Sequence, residues 1–290
     1  MHPAPSIIAF TTLSGLGFGL MFWLGLGQPD VTGWVAFVFY AIAYALACGG
    51  LLASTFHLGH PERALKAFTQ WRSSWLSREA WVAVIALGLN GLHAIGTVFF
   101  GTHWALIGWL GAAAAMITVF ATSMIYAQLK TVPRWNHWHT PILFLLMSLS
   151  GGALLAGQMT AALYGLSLTG AFQIIVWMIG DRRFAERGHT LGTATGLGDR
   201  GDLRLFEPPH TGTNYLLSEM VYVVGRKHVE KLRIIAIILM TALPILLLLL
   251  PFSHGLAAIA VLSHIMGALT ARWLFFAEAE HVVGLYYDAR

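Results

Sequence analysis

Charged side chains are scarce in this sequence: 10% of its 290 residues are Asp, Glu, Lys or Arg, whereas 57% are hydrophobic. Soluble domains carry about 25% charged residues, so an ordinary soluble fold is excluded. Trp and Gly are abundant instead, with 11 and 31 residues, and both are raised in helical membrane proteins. We therefore predict an all-α integral membrane protein that forms a single domain over residues 1–290.

Cysteine is nearly absent, with Cys48 the one example. One thiol cannot form an internal disulfide, and it cannot supply the four thiolates of an iron–sulfur cluster. We expect no iron–sulfur cluster in this chain, so any redox metal must come from haem or from a partner subunit. The net charge of +4 does not indicate a nucleic-acid partner, because the basic residues lie between apolar segments and act as topology signals.

Long apolar windows account for most of the chain. About 20 apolar residues cross a hydrocarbon core of about 30 Å. Eight windows of that size are present, at 7–27, 34–56, 80–101, 104–127, 141–157, 160–180, 232–252 and 255–277. The fifth and sixth are short and adjacent, and one long helix in their place would move every later segment to the other side of the membrane.

Lysine and arginine fall on one side of this predicted topology. With eight helices, one face receives both termini and the segments 57–79, 128–140 and 181–231, and all 17 Lys and Arg lie in or next to these regions. The other face receives short turns whose formal charge is Asp30 alone. Cytoplasmic loops are enriched in Lys and Arg. We therefore predict that both termini and all long loops are cytoplasmic, in a bacterial inner membrane.

The segment 181–231 is the longest polar stretch. It is rich in Gly, Arg and Asp and contains Pro208-Pro209, so it is too polar and interrupted to form a core of its own. A solvated linker is one interpretation. Long irregular segments in compact proteins are usually functional, and the short turns on the opposite face offer little surface to a soluble partner. We therefore predict a cytoplasmic partner-docking segment.

The densest group of polar residues joins the second and third predicted helices. His57 ends one helix and Glu79 begins the next, 22 residues later, with Arg63, Ser77 and Arg78 nearby. Interfacial Trp and Arg would explain part of this pattern. A quinone pocket explains it too, because quinone chemistry requires proton exchange near neutral pH, which a histidine or a buried carboxylate provides. Either arginine would instead hold Glu79 ionised, and both states stay open.

A polar stripe continues from Glu79 into the third helix. Asn90 follows eleven residues later and His93 one turn beyond, so all three lie on one helical face. Buried His and Asn are either functional groups or ordinary interhelical hydrogen-bonding residues. His264 is predicted at a depth similar to that of His93. A b-type cytochrome with these two haem ligands is therefore an alternative, which a haem absorption band would identify.

Three further features have structural or open interpretations. Gly15 and Gly19 form a small-xxx-small face for close helix packing, and Pro244 predicts a kink in the seventh helix. The polar and aromatic segment 272–281 either completes the pocket or contacts a partner. A transporter is disfavoured, because transport sites lie near the midplane between repeats and the sequence has no clear repeat.

Several of these motifs resemble the DmsC family, the membrane anchor subunits of dimethyl-sulfoxide-reductase-type molybdoenzymes. The resemblance runs through the chain. Its most specific parts are His57-Leu58-Gly59-x-Pro61-x-Arg63-Ala64, Leu76-Ser77-x-Glu79, Asn214-Tyr215-Leu216 with Glu219-Met220 and Arg226-Lys227-His228, and Arg272-Trp273-Leu274-Phe275-Phe276-Ala277-Glu278. Within the family, the sequence is most similar to the sulfite dehydrogenase anchors, SoeC. Arg78 stands where some relatives have an uncharged residue.

The resemblance implies an eight-helix anchor that passes electrons between a cytoplasmic ferredoxin-like iron–sulfur subunit and a membrane quinone, either ubiquinone or menaquinone. It also implies a molybdopterin catalytic subunit and, usually, no haem. In the family, the residues that match His57 and Glu79 are implicated in quinol binding, and we take His57, Arg63, Ser77, Arg78 and Glu79 as candidate quinone-binding residues. Sulfite oxidation is the expected reaction, with dimethyl-sulfoxide or another terminal reduction as the alternative.

Overall fold

The chain is helical throughout the residues that the computed structural model describes. These are residues 1–57, 60–207, 210, 212, 214–221 and 227–287, and the side chains of His57 and Pro61 lie outside the description. All regular secondary structure within these ranges is α-helix, 3₁₀-helix or π-helix. The predicted all-α fold is therefore confirmed.

Ten α-helices follow one another in the described residues. They are α1 (Pro5–Gly25), α2 (Gly33–Ala53), α3 (Trp75–Phe99), α4 (Ala105–Ala127), α5 (His139–Leu155), α6 (Met159–Glu186), α7 (Leu191–Thr195), α8 (Val229–Ile237), α9 (Leu243–Leu248) and α10 (His254–Ala277). A π-helical turn joins α8 to α9, so that Val229–Leu248 forms one apolar helix. The sequence predicts a kink at Pro244. In the structure the irregularity is the π-helical turn that Pro244 follows.

Seven helices within the described ranges are long and apolar enough to cross a membrane: α1 to α4, α6, the combined helix Val229–Leu248, and α10. α5 is also apolar, but its 17 residues extend about 26 Å, which is less than a hydrocarbon core of about 30 Å. The structure therefore supports seven candidate spans and one shorter apolar helix, where the sequence predicts eight spans. α5 and α6 are separated by a turn at Gly157, whose positive φ of 66° suits glycine, so the alternative of one long helix is wrong.

The amino terminus, the α4–α5 loop and the residues after α10 meet at one end of the bundle. The Met1 amino group donates a hydrogen bond to the Ala279 carbonyl at 2.7 Å. The backbone N–H of Val282 donates to the Thr131 carbonyl at 3.0 Å. We call this end, which also includes the carboxyl end of α6, the charged end.

The opposite end of the bundle gathers the remaining turns. His103 Nε2 lies 3.0 Å from a carboxylate oxygen of Asp30, which joins the α3–α4 turn to the α1–α2 turn. Gly157, after α5, and Ser253, before α10, line one cavity at this end. α5 therefore runs from the charged end to the opposite end in spite of its short length.

Glycine allows α1 and α5 to pack at close range. A Cβ on Gly19 would overlap the Ser148 carbonyl, and a Cβ on Gly152 would overlap the backbone of Gly19. Ser148 Oγ donates to the Gly15 carbonyl at 2.6 Å. Close packing is thus confirmed at Gly19 of the predicted small-xxx-small face, whereas an added Cβ on Gly15 would meet no atom within 4 Å and this glycine contributes its carbonyl oxygen.

The carboxyl end of α6 lies further along the sequence than predicted. The apolar window ends at residue 180, whereas the helix continues to Glu186. In the last turns Arg183 donates to Glu186 at 3.2 Å and to the Asn136 carbonyl at 3.4 Å. The predicted boundary is wrong because these polar contacts stabilise the last turns of α6, so the helix continues beyond the residue at which hydropathy falls.

The described part of the segment 181–231 is held by Tyr286 and Tyr287. The Tyr286 hydroxyl donates to the Ala194 carbonyl at the end of α7. Asn214 Nδ2 donates to the Tyr287 hydroxyl at 3.2 Å. The described part of the segment is therefore attached to the charged end, while its docking role stays a prediction.

Candidate functional site

Glu79 is buried inside the bundle, with 4% of its surface exposed. It lies one turn after α3 begins at Trp75. Its carboxylate accepts a hydrogen bond from the hydroxyl of Thr122 on α4. The same hydroxyl lies 3.0 Å from the Thr118 carbonyl. The predicted proton-exchanging group is therefore enclosed by protein and in contact with a hydroxyl that is able to donate or accept a proton.

The polar stripe on α3 is confirmed, and it faces α4. Asn90 is 0% exposed and His93 is 1% exposed. Gly111 of α4 lies against the Asn90 amide, and Gly108 lies against the His93 ring. His93 Nδ1 is 2.5 Å from the Tyr40 hydroxyl on α2. These two residues thus fill the contact between α2, α3 and α4, where small residues let the backbones approach.

His264 and His93 contact different helices in the described part of the chain. Its Nδ1 lies 2.7 Å from the Met240 carbonyl in the π turn, and its Nε2 faces Gly151 of α5. The predicted match in depth therefore does not give the two rings a shared neighbour among the described residues.

Ser77 and Arg78 are directed differently, although they are adjacent. Ser77 is 1% exposed, and its hydroxyl has no hydrogen-bond partner within the described part of the chain. Arg78 turns to the preceding loop, where its guanidinium donates to the carbonyls of Trp71 at 3.0 Å and Arg72 at 2.7 Å. Ser77 therefore contributes to the interior, and Arg78 holds the loop before α3.

Arg63 and His57 belong to the segment between α2 and α3. The Arg63 side chain is 60% exposed, and its Nε lies 3.9 Å from Glu62. The 3₁₀ turn Ser54–His57 follows α2 directly, but the His57 side chain lies outside the described residues. Of the five candidates, two are interior, two are turned to the surface or the loop, and the position of the histidine ring stays a prediction.

A small cavity of about 20 Å³, room for about one water molecule, lies beside Thr122, between α1, α4, α5 and α10. Its polar wall consists of Thr11, Thr12, Ser14, Thr122, Ser148, His264 and Arg272. Since Thr122 also bonds to Glu79, the cavity and the carboxyl group form one continuous site.

Arg272 is buried in α10, with 3% of its surface exposed. Its guanidinium carbon lies 3.7 Å from the centre of the Phe144 ring, and its Nη2 lies 3.6 Å from the Met147 sulfur. Its Nε has no hydrogen-bond partner among the residues that are described. Guanidinium has five N–H donors, and burial of a charge without hydrogen-bond partners is costly. Arg272 therefore has unused donor capacity inside the protein.

A second small cavity of about 20 Å³ is also lined by Arg272. His139 lines it with 1% exposure, and neither of its ring nitrogens has a hydrogen-bond partner in the described residues. Glu278 lines the same cavity. Arg272 thus lines both cavities.

Four charged residues form a closed cluster at the charged end. Arg134 and Arg233 each contact both Asp181 and Glu278, at distances between 2.6 and 2.9 Å. The Glu278 side chain is 4% exposed, whereas that of Asp181 is 45% exposed. The cluster connects the α4–α5 loop, α6, α8 and the end of α10.

The surface beside this cluster is cationic. Arg187 donates to the Asn136 side chain at 2.9 Å, and Arg183 reaches the Asn136 carbonyl. Burial, together with Arg183 and Arg187, lowers the pKa of His137 below its usual range. The positive charge of this surface near neutral pH therefore comes from the arginines and not from His137.

The sequence does not predict Thr122 as a binding residue, whereas Arg272 lies in the segment 272–281, for which completion of the pocket is one of two open predictions. Threonine is common in membrane helices and often bonds to its own helix, so Thr122 carries no distinguishing signal. Arg272 does carry one, since a charged residue in an apolar span indicates function. Its position near the end of α10 favours a topology role when the sequence is considered alone.

Comparison with known proteins gives consistent results. The chain matches the family model for DmsC, the DMSO reductase anchor subunit, over residues 2–277. It is 33% identical to a sulfite dehydrogenase subunit of Allochromatium vinosum, in an alignment that covers 100% of this chain and 99% of that protein.

Two Escherichia coli K12 proteins show shorter similarity. The anaerobic dimethyl sulfoxide reductase protein YnfH is 31% identical over 43% of this chain and 45% of its own length. Another anaerobic dimethyl sulfoxide reductase protein of the same strain is 31% identical over 40% of this chain and 42% of its own length. With a family match over nearly the whole chain and a relative aligned from end to end, this protein belongs to the DmsC family of DMSO reductase anchor subunits.

Proposed function

We propose that this chain is the membrane anchor of a molybdenum and iron–sulfur oxidoreductase. It passes electrons between a soluble partner and a membrane quinone. The family match and the names of the relatives support this assignment. The partners are a ferredoxin-like iron–sulfur subunit and a molybdopterin catalytic subunit. The segment 181–231, attached to the charged end, is the proposed docking surface.

Sulfite oxidation is the proposed reaction of the complex. The similarity to a sulfite dehydrogenase subunit covers the full chain, whereas similarity to the two dimethyl sulfoxide reductase proteins covers less than half of it. Electrons would then flow from the soluble partner to the quinone. Reduction of dimethyl sulfoxide or another terminal acceptor, with the opposite flow, is the alternative.

We further propose that the protein spans a bacterial inner membrane eight times, with both termini in the cytoplasm. The end-to-end course of α5 supports its inclusion as the eighth crossing, because a helix of this length spans a locally thinned bilayer at modest cost. The positive-inside rule supports a cytoplasmic charged end.

The residues around Thr122 have the chemical types of a quinone site, which is mostly apolar with a few polar groups. The space enclosed by them is about 20 Å³, room for about one water molecule, so a quinone ring requires movement of the lining side chains. Phe144 offers an aromatic wall, and Arg272 offers an unsatisfied Nε–H donor. A bound quinone would accept or deliver two electrons together with two protons, and it would be either ubiquinone or menaquinone.

The contact of Glu79 with Thr122 is the observation that carries this proposal. The Thr122 hydroxyl has one proton and two acceptors in reach, Glu79 and the Thr118 carbonyl. Both contacts are satisfied together when Glu79 is protonated and donates to Thr122. When Glu79 loses its proton, the hydroxyl donates to the carboxylate instead. Glu79 is therefore able to hold a proton and release it without losing its hydrogen bond.

The other candidate residues have proposed roles near Glu79. His57 would exchange protons with the cytoplasm, and Arg63 would orient a carboxyl or ring oxygen. Ser77 would donate a hydrogen bond in the interior. Arg78, bonded to the loop, would fix the start of α3 and thereby the position of Glu79.

Substitution of Glu79 by Gln tests the proposal. The amide keeps the shape and the contact with Thr122 but cannot carry the proton, so we expect a folded complex with intact partner binding and quinone-linked turnover reduced by about 100-fold or more. Glu62→Gln is the matched control, because the Glu62 side chain is 64% exposed and lies in the same segment between α2 and α3. Turnover that is equal in the two variants would remove Glu79 from the mechanism.

A further inference from the structure

We infer that the space between α6 and α8 at the charged end binds one anionic phospholipid. Lys227 and Lys231 hold its phosphate, and an acyl chain lies along the apolar side chains that follow them on the helix. The inference goes beyond the proposed function, since it concerns a lipid and neither the quinone nor the soluble partners. The docking role proposed for the remainder of the segment 181–231 is unaffected.

The first argument is the shape of this part of the bundle. α6 lies close to the π turn, because a Cβ on Gly170 would be 3.0 Å from the Thr241 hydroxyl. Nearer the charged end, backbone contacts between α6 and α8 are rare. The two helices are joined there by the long side chain of Arg233, which reaches Asp181 at 2.6 Å. The helices therefore separate toward the charged end and leave a wedge-shaped space, which we call the wedge.

A cavity of about 650 Å³ occupies the wide end of the wedge. Asp181 of α6 and Arg233 of α8 form one side of its lining, and the residues 227–231 form the other. Small-molecule sites have volumes of about 300–1,000 Å³. The cavity is therefore large enough for a phosphate group and the glycerol unit of a lipid.

The charge of the cavity is the second argument. Arg233 belongs to the closed cluster described above, where carboxylates balance its charge. Lys227 and Lys231 form no ion pair with a residue that the structure describes. Against these two lysines stands one carboxylate, Glu230, among the described lining residues outside the cluster. Basic pockets between membrane helices on the cytoplasmic side bind anionic lipid headgroups, and this cavity has the matching charge.

The third argument is the apolar surface that continues from the cavity. Lys231, Ile234 and Ile238 lie at positions i, i+3 and i+7, so they share one face of the helix Val229–Leu248. Both isoleucines are exposed, as is Met178 on α6. In a bilayer, exposed side chains of this kind contact acyl chains. The cationic cavity and the apolar surface next to it thus match the two parts of a phospholipid.

A lipid fits this arrangement better than an acidic segment of a soluble partner. Ile234 follows Lys231 by about 4.5 Å along the helix, so the apolar surface begins directly beside the cationic group. Lysine stems lie along such a surface while the ammonium group stays at the level of the lipid phosphates. A soluble protein would bind the lysines and leave the exposed isoleucines without a partner.

Exchange of both lysines for glutamine tests the inference. The intact complex in detergent is titrated with phosphatidylglycerol, or with phosphatidylcholine as the neutral comparison, and native mass spectrometry counts the retained lipid. We expect one phosphatidylglycerol to be retained at concentrations at which phosphatidylcholine is lost. The double variant Lys227→Gln/Lys231→Gln should lower the affinity for phosphatidylglycerol by about 10- to 30-fold, because two basic contacts near the membrane surface are removed.

Lys66→Gln/Lys130→Gln is the matched control. Both lysines are exposed, one between α2 and α3 and one between α4 and α5, so this variant loses the same charge at other places on the chain. It should retain phosphatidylglycerol as the unmodified complex does. Lys227→Arg/Lys231→Arg keeps both positive charges in the wedge, and we expect it to retain the lipid as well.

Four results would overturn the inference. The first is equal retention of the two lipids by the unmodified complex, a comparison that stands whether or not the variants fold. The second is the same affinity for phosphatidylglycerol in Lys227→Gln/Lys231→Gln and in the control. The third is protection from thermal unfolding by glycerol phosphate as strong as that by phosphatidylglycerol, which would indicate a site for small anions. The fourth is loss of the soluble subunits from the double variant with lipid binding unchanged, which would assign the cavity to partner docking.

Discussion

Glu278 balances the charge of two arginines at the charged end. It contacts Arg134 at 2.9 Å and Arg233 at 2.8 Å, and it is 4% exposed. Asp181, the other carboxylate of the cluster, is 45% exposed and is therefore more strongly solvated. The stabilising effect of the cluster thus depends mainly on Glu278, since removal of one partner from a buried pair leaves an uncompensated charge.

We expect Glu278→Gln to lower the free energy of unfolding by about 3–5 kcal/mol. Thermal unfolding in detergent, followed by tryptophan fluorescence, measures the change. Glu186→Gln removes a comparable carboxylate from an exposed pair with Arg183, and its effect should stay within about 1 kcal/mol. Equal losses in the two variants would contradict a special role for the buried carboxylate.

The sequence predicts the chemical type of the site residues better than their contacts. Glu79 is predicted as a buried carboxyl because it lies at the start of an apolar helix, and its burial is confirmed. Its partner Thr122 is beyond prediction, because the register of α3 against α4 depends on how Gly108 and Gly111 receive the His93 and Asn90 side chains. That register is a tertiary property that neither helix carries alone.

Close packing of helices α1 and α5 depends on two glycines. Gly19 lies against the Ser148 carbonyl, and Gly152 lies against the Gly19 backbone. A methyl group on Gly19 has no free space and would push the two helices apart. This contact forms one wall of the cavity beside Thr122, so its geometry also affects the site.

We expect Gly19→Ala to destabilise the protein by about 1–3 kcal/mol or more, because the added methyl group overpacks a helix contact. The same substitution at Gly88, where the methyl group meets no atom within 4 Å, should stabilise the protein by about 0.5–1 kcal/mol through reduced backbone entropy. The same Gly→Ala substitution should therefore change the free energy of unfolding in opposite directions at the two positions, and thermal unfolding measures both changes. A stabilising Gly19→Ala would show that α1 and α5 are further apart than described.

Helix positions follow from hydropathy, whereas helix ends follow from polar contacts. All eight apolar windows contain helices, which is what long runs of apolar residues predict. The end of α6 at Glu186 differs from the prediction because Arg183 finds partners in the neighbouring loop. α5 has the 17 residues of its predicted window, 141–157, but begins and ends two residues earlier.

The proposed site lies entirely at the charged end of the molecule. Glu79, Thr122 and Arg272 are within about 8 Å of that end along their helices, and the proposed docking segment is attached to the same end. Electrons from the partner and protons from the cytoplasm would therefore enter from one side. The proposed reaction then moves no net charge through the bundle.

We expect the complex, reconstituted into proteoliposomes, to reduce quinone without building a membrane potential. A potential-sensitive dye follows the voltage, and a proteoliposome with a proton pump in the same lipid provides the positive control. A potential that builds during turnover and collapses with an ionophore would contradict the one-sided arrangement.

The contacts of Tyr286 and Tyr287 with the segment 181–231 have a consequence for assembly of the complex. Tyr286 holds Ala194 and Tyr287 holds Asn214, so the described part of this segment is fastened at two points by residues far from it in the sequence. A soluble subunit that recognises this closed arrangement would bind the folded anchor and pass over molecules in which these two tyrosines are still unattached.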